Sequence, residues 1–581
     1  MDARKDGSPW AQELCGSVQG LQQRTLLRVQ RPTLPQFSSV EALIHEHDLD
    51  AWAMGNPPLP NSVTAAVWRE AVMAQQPYNF SSSITSQHEA QHSGSIPTSA
   101  AGPFLLMPPS SAGTNFDVRC GKPQTVQTWE DGSRGSSTPS TALQLNLPPS
   151  GLQPQASQPL HHMPHSMWEY MHNPALPLKR LKLFSLNDYL GLSAHPDVAA
   201  AAAAAVSMCG MGARSSGVVG GTSVLHRELE EGLAALKGTQ DCLLCPTGFA
   251  ANMAVLTALT SMGGRQVSIF SDALNHASII DGARLACRGG RASLHIYHHN
   301  DMAHLEQLLQ SLPKNTLALV ITDSLFSMDG DFADLQALAA LRARYGFLLA
   351  VDEAHATLVC GDRGAGAAEA LGVSDQVDIH IGTLSKAFGA LGGFVATSAV
   401  IKALVLNKGR AHVYSTALPI PVVAAAQTAL AVSNREHWRR HAVWSLVERL
   451  SAGLGVPALS PIVPLVVGGE AEAVGLASRL LKEHGMHVPA IRPPTVPKGT
   501  CRLRVSLSAA HTAADVDALV AAVKSSLGSW EIPTRPGGNA RARSSALLGN
   551  SQPSLMQVQY LEAQAHTPIA MAMKPWRKAY L

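Results

Sequence analysis

"LALVITDSLFSMDGDFADLQALAALRARYGFLLAVDEAH", residues 317–355, begins and ends on apolar runs of strand length with an amphipathic stretch between them. The runs "LALVIT", to Thr322, and "FLLAVD", to Asp352, predict two strands joined by a helix, the unit from which parallel sheets are built. The same alternation extends outward over about residues 180–527. Further strands are expected at "CLLC" near Cys242, "QVSIF" to Phe270, "SLHIY" to Tyr297, "VDIHIGT" to Thr383 and "GFVAT" to Thr397, with helices between most of them. After residue 434, "REHWRRHAVWSLVERL", "PIVPLVV", a helix to about residue 484 and "CRLRVSLS" predict a smaller α+β unit. The expected fold is α/β, with a mostly parallel central sheet, helices on both faces and a smaller C-terminal α+β domain.

Composition separates the remainder of the chain. Residues 1–165 are rich in Ser, Pro, Gln and Gly without sustained periodicity, and residues 528–581 resume that character, so both are expected to be disordered. The domain reading is therefore an extension at 1–165, an N-terminal segment and large domain at 166–433, a small domain at 434–527 and a tail at 528–581. A formal net charge of +2 with 15% charged residues leaves no electrostatic footprint for nucleic acid, and small-molecule partners are expected. Eight scattered cysteines fit a reducing compartment. The Cys242/Cys245 pair has metal-ligand spacing, but no second pair completes a tetrahedral site, and no metal is expected. His161, His162 and His165 lie in a Pro-rich stretch that reads as a solvated linker. No run approaches the roughly 20 apolar residues of a membrane span. The acidic, non-apolar start argues against a secretory leader, and Tyr580 in the terminal "WRKAYL" stands where a peroxisomal signal wants a cation. The cytosol is the expected location, with a peroxisome or another organelle as the alternative.

Polar residues collect at the carboxyl ends of the expected strands, where open α/β sheets bind ligands. Lys386 stands in "GTLSKAFGALGG", residues 382–393, with no acid nearby in sequence. It is either a surface lysine with a buried stem or a buried amine whose lowered pKa makes it a nucleophile toward an aldehyde. "VDEAH" carries Asp352 into the interior with His355 beyond it; the acid serves equally as a helix cap or as the partner of a buried cation. "PTGFAAN" offers Gly248 and Phe249 after Thr247 at a helix start, where free N–H groups favour an anion such as phosphate. His276, alone, reads as structural. Together, an amine for a Schiff base, a buried carboxylate for a pyridinium nitrogen, an imidazole face and a phosphate-binding helix start are what a pyridoxal phosphate site requires.

The stretches "LFSLNDYLGLSAHP", "GTSVLHRELE", "CPTGFAANMAVL", "FSDALNHASIIDGARLA", "DSLFSMDGDFADL", "VDEAHATLVCG", "GTLSKAFGALGG", "VYSTALP" and "IRPPTVPKGTCRLRVSLSAAHT" give residues 180–527 a resemblance to the α-oxoamine synthases, fold-type I pyridoxal phosphate enzymes. That resemblance implies Lys386 as the Schiff-base lysine, Asp352 at the pyridinium nitrogen, His355 at the ring hydroxyl, Thr383 and Ser327 beside the cofactor and His276 stacked on it. It implies phosphate contacts from Gly248 and Phe249, with Ser415 or Thr416 supplied by a second subunit of a homodimer. Asn187 and Arg504 match residues that hold the amino-acid carboxylate, and Arg492 and Thr495 match the acyl-thioester side. The implied reaction is decarboxylative condensation of L-alanine with a pimeloyl thioester, carried by coenzyme A or a carrier protein, with Lys386 as general base; the alternative is another α-oxoamine synthase that joins glycine or serine to a different acyl thioester. Glu353 and Ala356 depart from the commoner Asp and Gly, and Arg180 is the candidate for a further substrate arginine. Lys386 argues against a non-catalytic subunit, and the absence of a basic stripe in residues 1–165 argues against a DNA-binding regulator.

Overall fold

The structure is a computed structural model, and it describes residues 34–35, 40–45, 49, 178–261 and 265–527. Near the start of the chain come β1 (Leu34–Pro35), β2 (Glu41–His45) and β3 (Leu178–Leu183). The large domain contributes β4 (Asp241–Cys245), β5 (Val267–Asp272), β6 (Ala292–Tyr297), β7 (Leu317–Asp323), β8 (Leu348–Asp352), β9 (Ile379–Thr383) and β10 (Gly393–Thr397). These seven strands form one sheet in the order β4-β10-β9-β8-β7-β5-β6. All neighbours are parallel except β10, which runs antiparallel to both β4 and β9. Every strand expected from the apolar runs is present within a residue or two.

Alternation along these strands feeds two separate cores. Leu244, Phe270, Val320, Leu349, Val351 and Phe394 pack on one face, and Leu243, Ile269, Ile321, Ala350, Ile381 and Val395 on the other. A sheet buried on both sides needs apolar residues at consecutive positions, which is why its strands read as unbroken apolar runs. Cys242 and Cys245 fall on opposite faces, so the pair cannot share one metal ion. Small residues let the layers close. A Cβ on Gly393 would sit 2.4 Å from the carbonyl carbon of Thr247, so only glycine lets β10 pass under the turn that opens the helix Gly248–Thr260.

The C-terminal third adds β11 (Ile462–Gly468), β12 (Met486–His487), β13 (Ala490–Ile491) and β14 (Cys501–Ser506). β11, β14 and β13 form a three-stranded antiparallel sheet flanked by the helices Trp438–Leu454, Glu470–His484 and Ala513–Leu527. β12 instead pairs with β3, and β3 with β2, in a four-stranded sheet of order β1-β2-β3-β12. This corrects the expectation that residues 1–165 lie wholly outside the fold. Glu41 on β2 pairs with Lys182 on β3 at 2.5 Å, and Asp515 approaches the same ammonium at 3.1 Å. The rest of the expected extension, including His161, His162 and His165, and the tail after residue 527 lie outside the described residues.

A buried ion pair braces the turn after β8. Lys237 and Glu353 have no exposed side-chain surface and meet at 2.6 Å. Lys237 also donates to Thr357 Oγ1 at 2.9 Å and to the Ala365 carbonyl, while Glu353 accepts from His380 Nδ1 at 3.0 Å and the Ala368 N–H at 3.0 Å. Burial alone would raise the Glu353 carboxyl, but Lys237, His380 and the amide hold it down at about 2. Gly366, at φ 120°, is required beside this carboxylate, because a Cβ there would lie 2.4 Å from Glu353 Oε1. The Glu353 departure noted in the sequence is therefore fully accommodated. Among the described residues, no helix is long and apolar enough to cross a membrane.

Candidate active site

β5, β7, β8 and β9 end in Asp272, Asp323, Asp352 and Thr383, so the carboxyl edge of the sheet is lined with polar side chains. A cavity of about 210 Å³ opens there, bounded by Gly248, Phe249, His276, Ser327, Asp352, His355, Thr383 and Lys386 among others. Eight of the residues chosen from sequence thus surround one space. A larger cavity of about 450 Å³ elsewhere contains Ser415 and Thr416 instead. Size does not identify the site; the assembled chemistry does.

Asp352 is 5% exposed and held by two donors, Asn252 Nδ2 at 2.6 Å and the Ala354 N–H at 2.9 Å. Asn252 also donates to Ser278 Oγ at 2.9 Å, tying the carboxylate to the helix Ala277–Cys287. Lys386 follows β9 on the loop to β10 and belongs to the cavity wall. Burial pushes its ammonium below the ordinary range, Asp352 and Asp323 oppose that shift, and Arg504 adds to it. The surface-lysine alternative is thereby set aside: this amine is available in its neutral, nucleophilic form at lower pH than a free lysine.

His355 is buried, and its Nδ1 lies 2.6 Å from the Tyr189 hydroxyl. Burial pushes the phenol up to about 12, so the hydroxyl keeps its proton, which faces two acceptors, Asn187 Oδ1 at 3.2 Å and His355 Nδ1 at 2.6 Å. Burial, with Lys386 and Arg504 nearby, also holds the His355 imidazole well below its usual value. With the phenol proton on the shorter of its two bonds, the neutral ring accepts at Nδ1 and carries its hydrogen on Nε2, which makes it a donor. His276 caps its helix, with Nδ1 2.7 Å from Ser278 Oγ, and burial lowers its pKa against the opposing charge of Asp352. Its ring meets Phe249 edge-on at 6.4 Å. Thr383 donates to the Gly392 carbonyl at 2.9 Å, which pins the lysine loop back onto its own strand.

Arg504 arrives from β14 in the small domain. Its Nε donates to the Ser327 carbonyl at 2.5 Å, Nη1 to Ser506 Oγ at 2.8 Å, and both terminal nitrogens to Asn187 Oδ1 at 3.2 Å. Four of its five N–H bonds are thus used within the protein, and the guanidinium also bears on the Tyr189 hydroxyl. Arg492 and Thr495 sit on the loop after β13, beside the cis Pro493–Pro494 bond, and do not line the 210 Å³ cavity. Arg180 does not reach it either: its side chain is 71% exposed and lies 3.5 Å from Glu41. Ser415 donates to the Ala411 carbonyl at 2.7 Å, and Thr416 bridges Ser216, so neither meets the cofactor-side residues of its own chain.

Asn252, Tyr189 and Asp323 belong to the site without having been chosen from sequence. Tyr189 lay inside the quoted "NDYLG", but its bond to His355 spans 166 residues and has no local signature. Asn252, one turn into the helix that begins at Gly248, was open to discovery through its position on the same helix start.

The donor set fits pyridoxal phosphate. Asp352 suits a pyridinium N–H, Lys386 an aldehyde, His355 Nε2–H a ring oxygen, and the first N–H groups of the helix Gly248–Thr260, which have no intrahelical acceptors, suit a phosphate. A Cβ on Gly248 would press on Thr383 Cβ at 3.0 Å, so any larger residue requires the cradle wall to give by a few tenths of an ångström.

This fold and site define a pyridoxal-phosphate-dependent enzyme of fold type I. Residues 180–523 match the family of aminotransferases of class I and II. The chain is 51% identical over 360 residues to the 8-amino-7-oxononanoate synthase of Arabidopsis thaliana, covering 60% of this chain and 75% of that one. It is 49% identical over 343 residues to the enzyme of the same name from Anaeromyxobacter dehalogenans, covering 58% and 84%. Among solved structures it is similar to the serine palmitoyltransferase of Sphingomonas wittichii, at TM-score 0.57 and 32% identity over 60% of this chain and 87% of that one. A high-resolution structure of SPT holding PLP as an internal aldimine gives the same values. The chain belongs to the class I and II aminotransferase family and, within it, to the 8-amino-7-oxononanoate synthases.

Proposed function

We propose that this enzyme condenses L-alanine with a pimeloyl thioester, giving 8-amino-7-oxononanoate, carbon dioxide and the free thiol in biotin biosynthesis. The observation that carries the reading is the 51% identity to the Arabidopsis synthase over 360 residues. The carbon count of that name agrees: seven carbons from the pimeloyl group and three from alanine, less one as carbon dioxide, leave the nine of a nonanoate.

Pyridoxal phosphate supplies an electron sink that stabilises negative charge at the substrate Cα. The protein supplies the rest. Asp352, fixed by Asn252 and the Ala354 N–H, keeps a proton on the ring nitrogen. Lys386, desolvated and so available as a neutral amine, would take the Cα proton as general base. Arg504 and the Asn187 side chain would hold and orient the amino-acid carboxylate. Arg492 and Thr495 serve the acyl side of the site.

The active form is a homodimer in which Ser415 and Thr416 reach the phosphate in the opposite subunit. In support, Val218 (46% exposed), Val219 (81%) and Tyr414 (72%) lie on the segments joined by the Ser216–Thr416 bridge, an apolar surface beside the proposed reaching residues. The enzyme works in the cytosol, an assignment that imaging of tagged full-length protein would overturn by showing it only in peroxisomes. Purified protein offered alanine, glycine or serine with a series of acyl thioesters, and the products weighed by mass spectrometry, tests the reaction. Alanine with the pimeloyl thioester should dominate; faster turnover of serine or glycine with a long-chain thioester would overturn the proposal.

A further inference from the structure

Asp323 ends β7 beside Asp352 at the end of β8, and the two residues are in register across the parallel ladder. Neighbouring strands lie about 4.8 Å apart and paired side chains share a face, so two carboxyl groups stand side by side at one cavity that both of them line. Carboxylates so placed resist ionising together.

Hydrogen-bond donors decide where the proton of the pair resides. Asp352 receives two N–H donors. Asp323 receives one, the His276 backbone N–H at 2.7 Å onto Oδ2, and its Oδ1 has no hydrogen-bond partner among the described residues. The charged groups acting on Asp323 are Asp352 from β8, Asp272 from β5 and Lys386 from the loop after β9. Asp272 is itself occupied by His299, at 2.9 Å, and by the Leu274 and Asn300 N–H groups. Burial and the Asp352 charge push the Asp323 carboxyl well above its ordinary range, with the His276 N–H and Lys386 opposing.

We propose that Asp323 is the protonated member of a carboxylic acid–carboxylate pair with Asp352, its Oδ2 fixing the His276 cap and its Oδ1–H donating to an acceptor atom of the bound cofactor. The site then carries one carboxylate against Lys386, and Asp323 acts as a neutral donor. This role holds whichever amino acid and thioester the enzyme uses, so its test needs neither.

The infrared spectrum of the cofactor-loaded enzyme near neutral pH should contain a protonated-carboxyl C=O stretch that Asp323→Asn removes and that shifts in heavy water. The Asn variant also keeps a neutral donor. Spectrophotometric titration of the cofactor's absorption should therefore move by no more than about 0.3 pH unit in Asp323→Asn, against a displacement of about 1 unit or more in Asp352→Asn. Cofactor absorption in both variants reports that the site is folded. The proposal is overturned if Asp323→Asn loses no carboxyl stretch, or if it shifts the titration as far as Asp352→Asn does.

Discussion

Replacing Lys237 by methionine tests the brace behind the turn that carries Asp352 and His355. The substitution keeps the length of the stem and removes a cation whose side chain, like that of Glu353, has no exposed surface. Among the described residues, Glu353 then retains His380 and the Ala368 N–H as side-chain partners. Leaving one charge of a buried pair uncompensated costs about 3–5 kcal/mol. The described core of roughly 350 residues, at about 2.1 cal/mol/K each, has an unfolding entropy of roughly 0.7 kcal/mol/K, so the midpoint of heat denaturation should fall by about 4–7 °C. Scanning calorimetry at matched cofactor loading and scan rate measures this. The double variant Lys237→Met/Glu353→Met should recover at least half of the loss, because an apolar pair of similar volume replaces the ions with little penalty. Acid dependence follows from the depressed Glu353 carboxyl: its stabilisation is complete above its unfolded value, near 4.5, and disappears as pH falls through about 2. A single variant within about 1 °C of the parent, or a double variant no better than the single, would refute the reasoning behind these magnitudes.

Borohydride should fix the cofactor to the parent chain but not to Lys386→Ala, as read by the mass of the Lys386 peptide; labelling that survives the substitution refutes the assignment. Arg504→Lys loses the fork shared between Asn187 and Ser327 and should raise KM for the amino acid by tenfold or more, on the order of 1–2 kcal/mol, with cofactor absorption retained. Mixing inactive Lys386→Ala chains with inactive Ser415→Ala/Thr416→Ala chains should restore part of the activity; proven mixed dimers without activity would count against shared sites. His299, clamped between Asp272 and Asp331, is pushed up to about 10 despite its burial. Its stabilisation is complete below about pH 6.5 and lost as pH rises through about 10, so His299→Gln should flatten the alkaline limb of the stability profile, measured by denaturant titration. A chain begun at residue 166 lacks β2 and the Glu41 partner of Lys182, and it should melt several degrees lower while still binding cofactor.

What the sequence disclosed, it disclosed through local patterns. Strands buried on both faces read as apolar runs, and Asp352, Thr383 and Lys386 were legible because they stand where such runs stop. Asp323 stands at the same place on β7 and was passed over, since an acid after a strand gains meaning only when its lateral neighbour is known to be Asp352. Tyr189 and Lys237 escaped for a related reason: their partners, His355 and Glu353, lie 166 and 116 residues away. β2 was hidden by its surroundings. "EALIH" is a short apolar-polar mixture in a Ser- and Pro-rich region, and it acquires strand character by pairing with β3 rather than from its own composition. Arg180 lies away from the cavity because alternation on β3 sends it toward solvent while Leu181 goes to the core.

Arg504 reaches Ser327 and Asn187 from a strand near the end of the folded region, and this fixes an order of events during synthesis. The ribosome makes Lys386 and every cavity-lining residue of the large domain first, and the guanidinium follows 118 residues later (504 less 386). At roughly 5–20 residues per second that interval is about 6–24 s. For that time a nascent chain possesses its amine and its acid but lacks the group that joins the asparagine and serine segments. A newly made chain therefore carries its amine and its acid before it carries the guanidinium that orients a substrate.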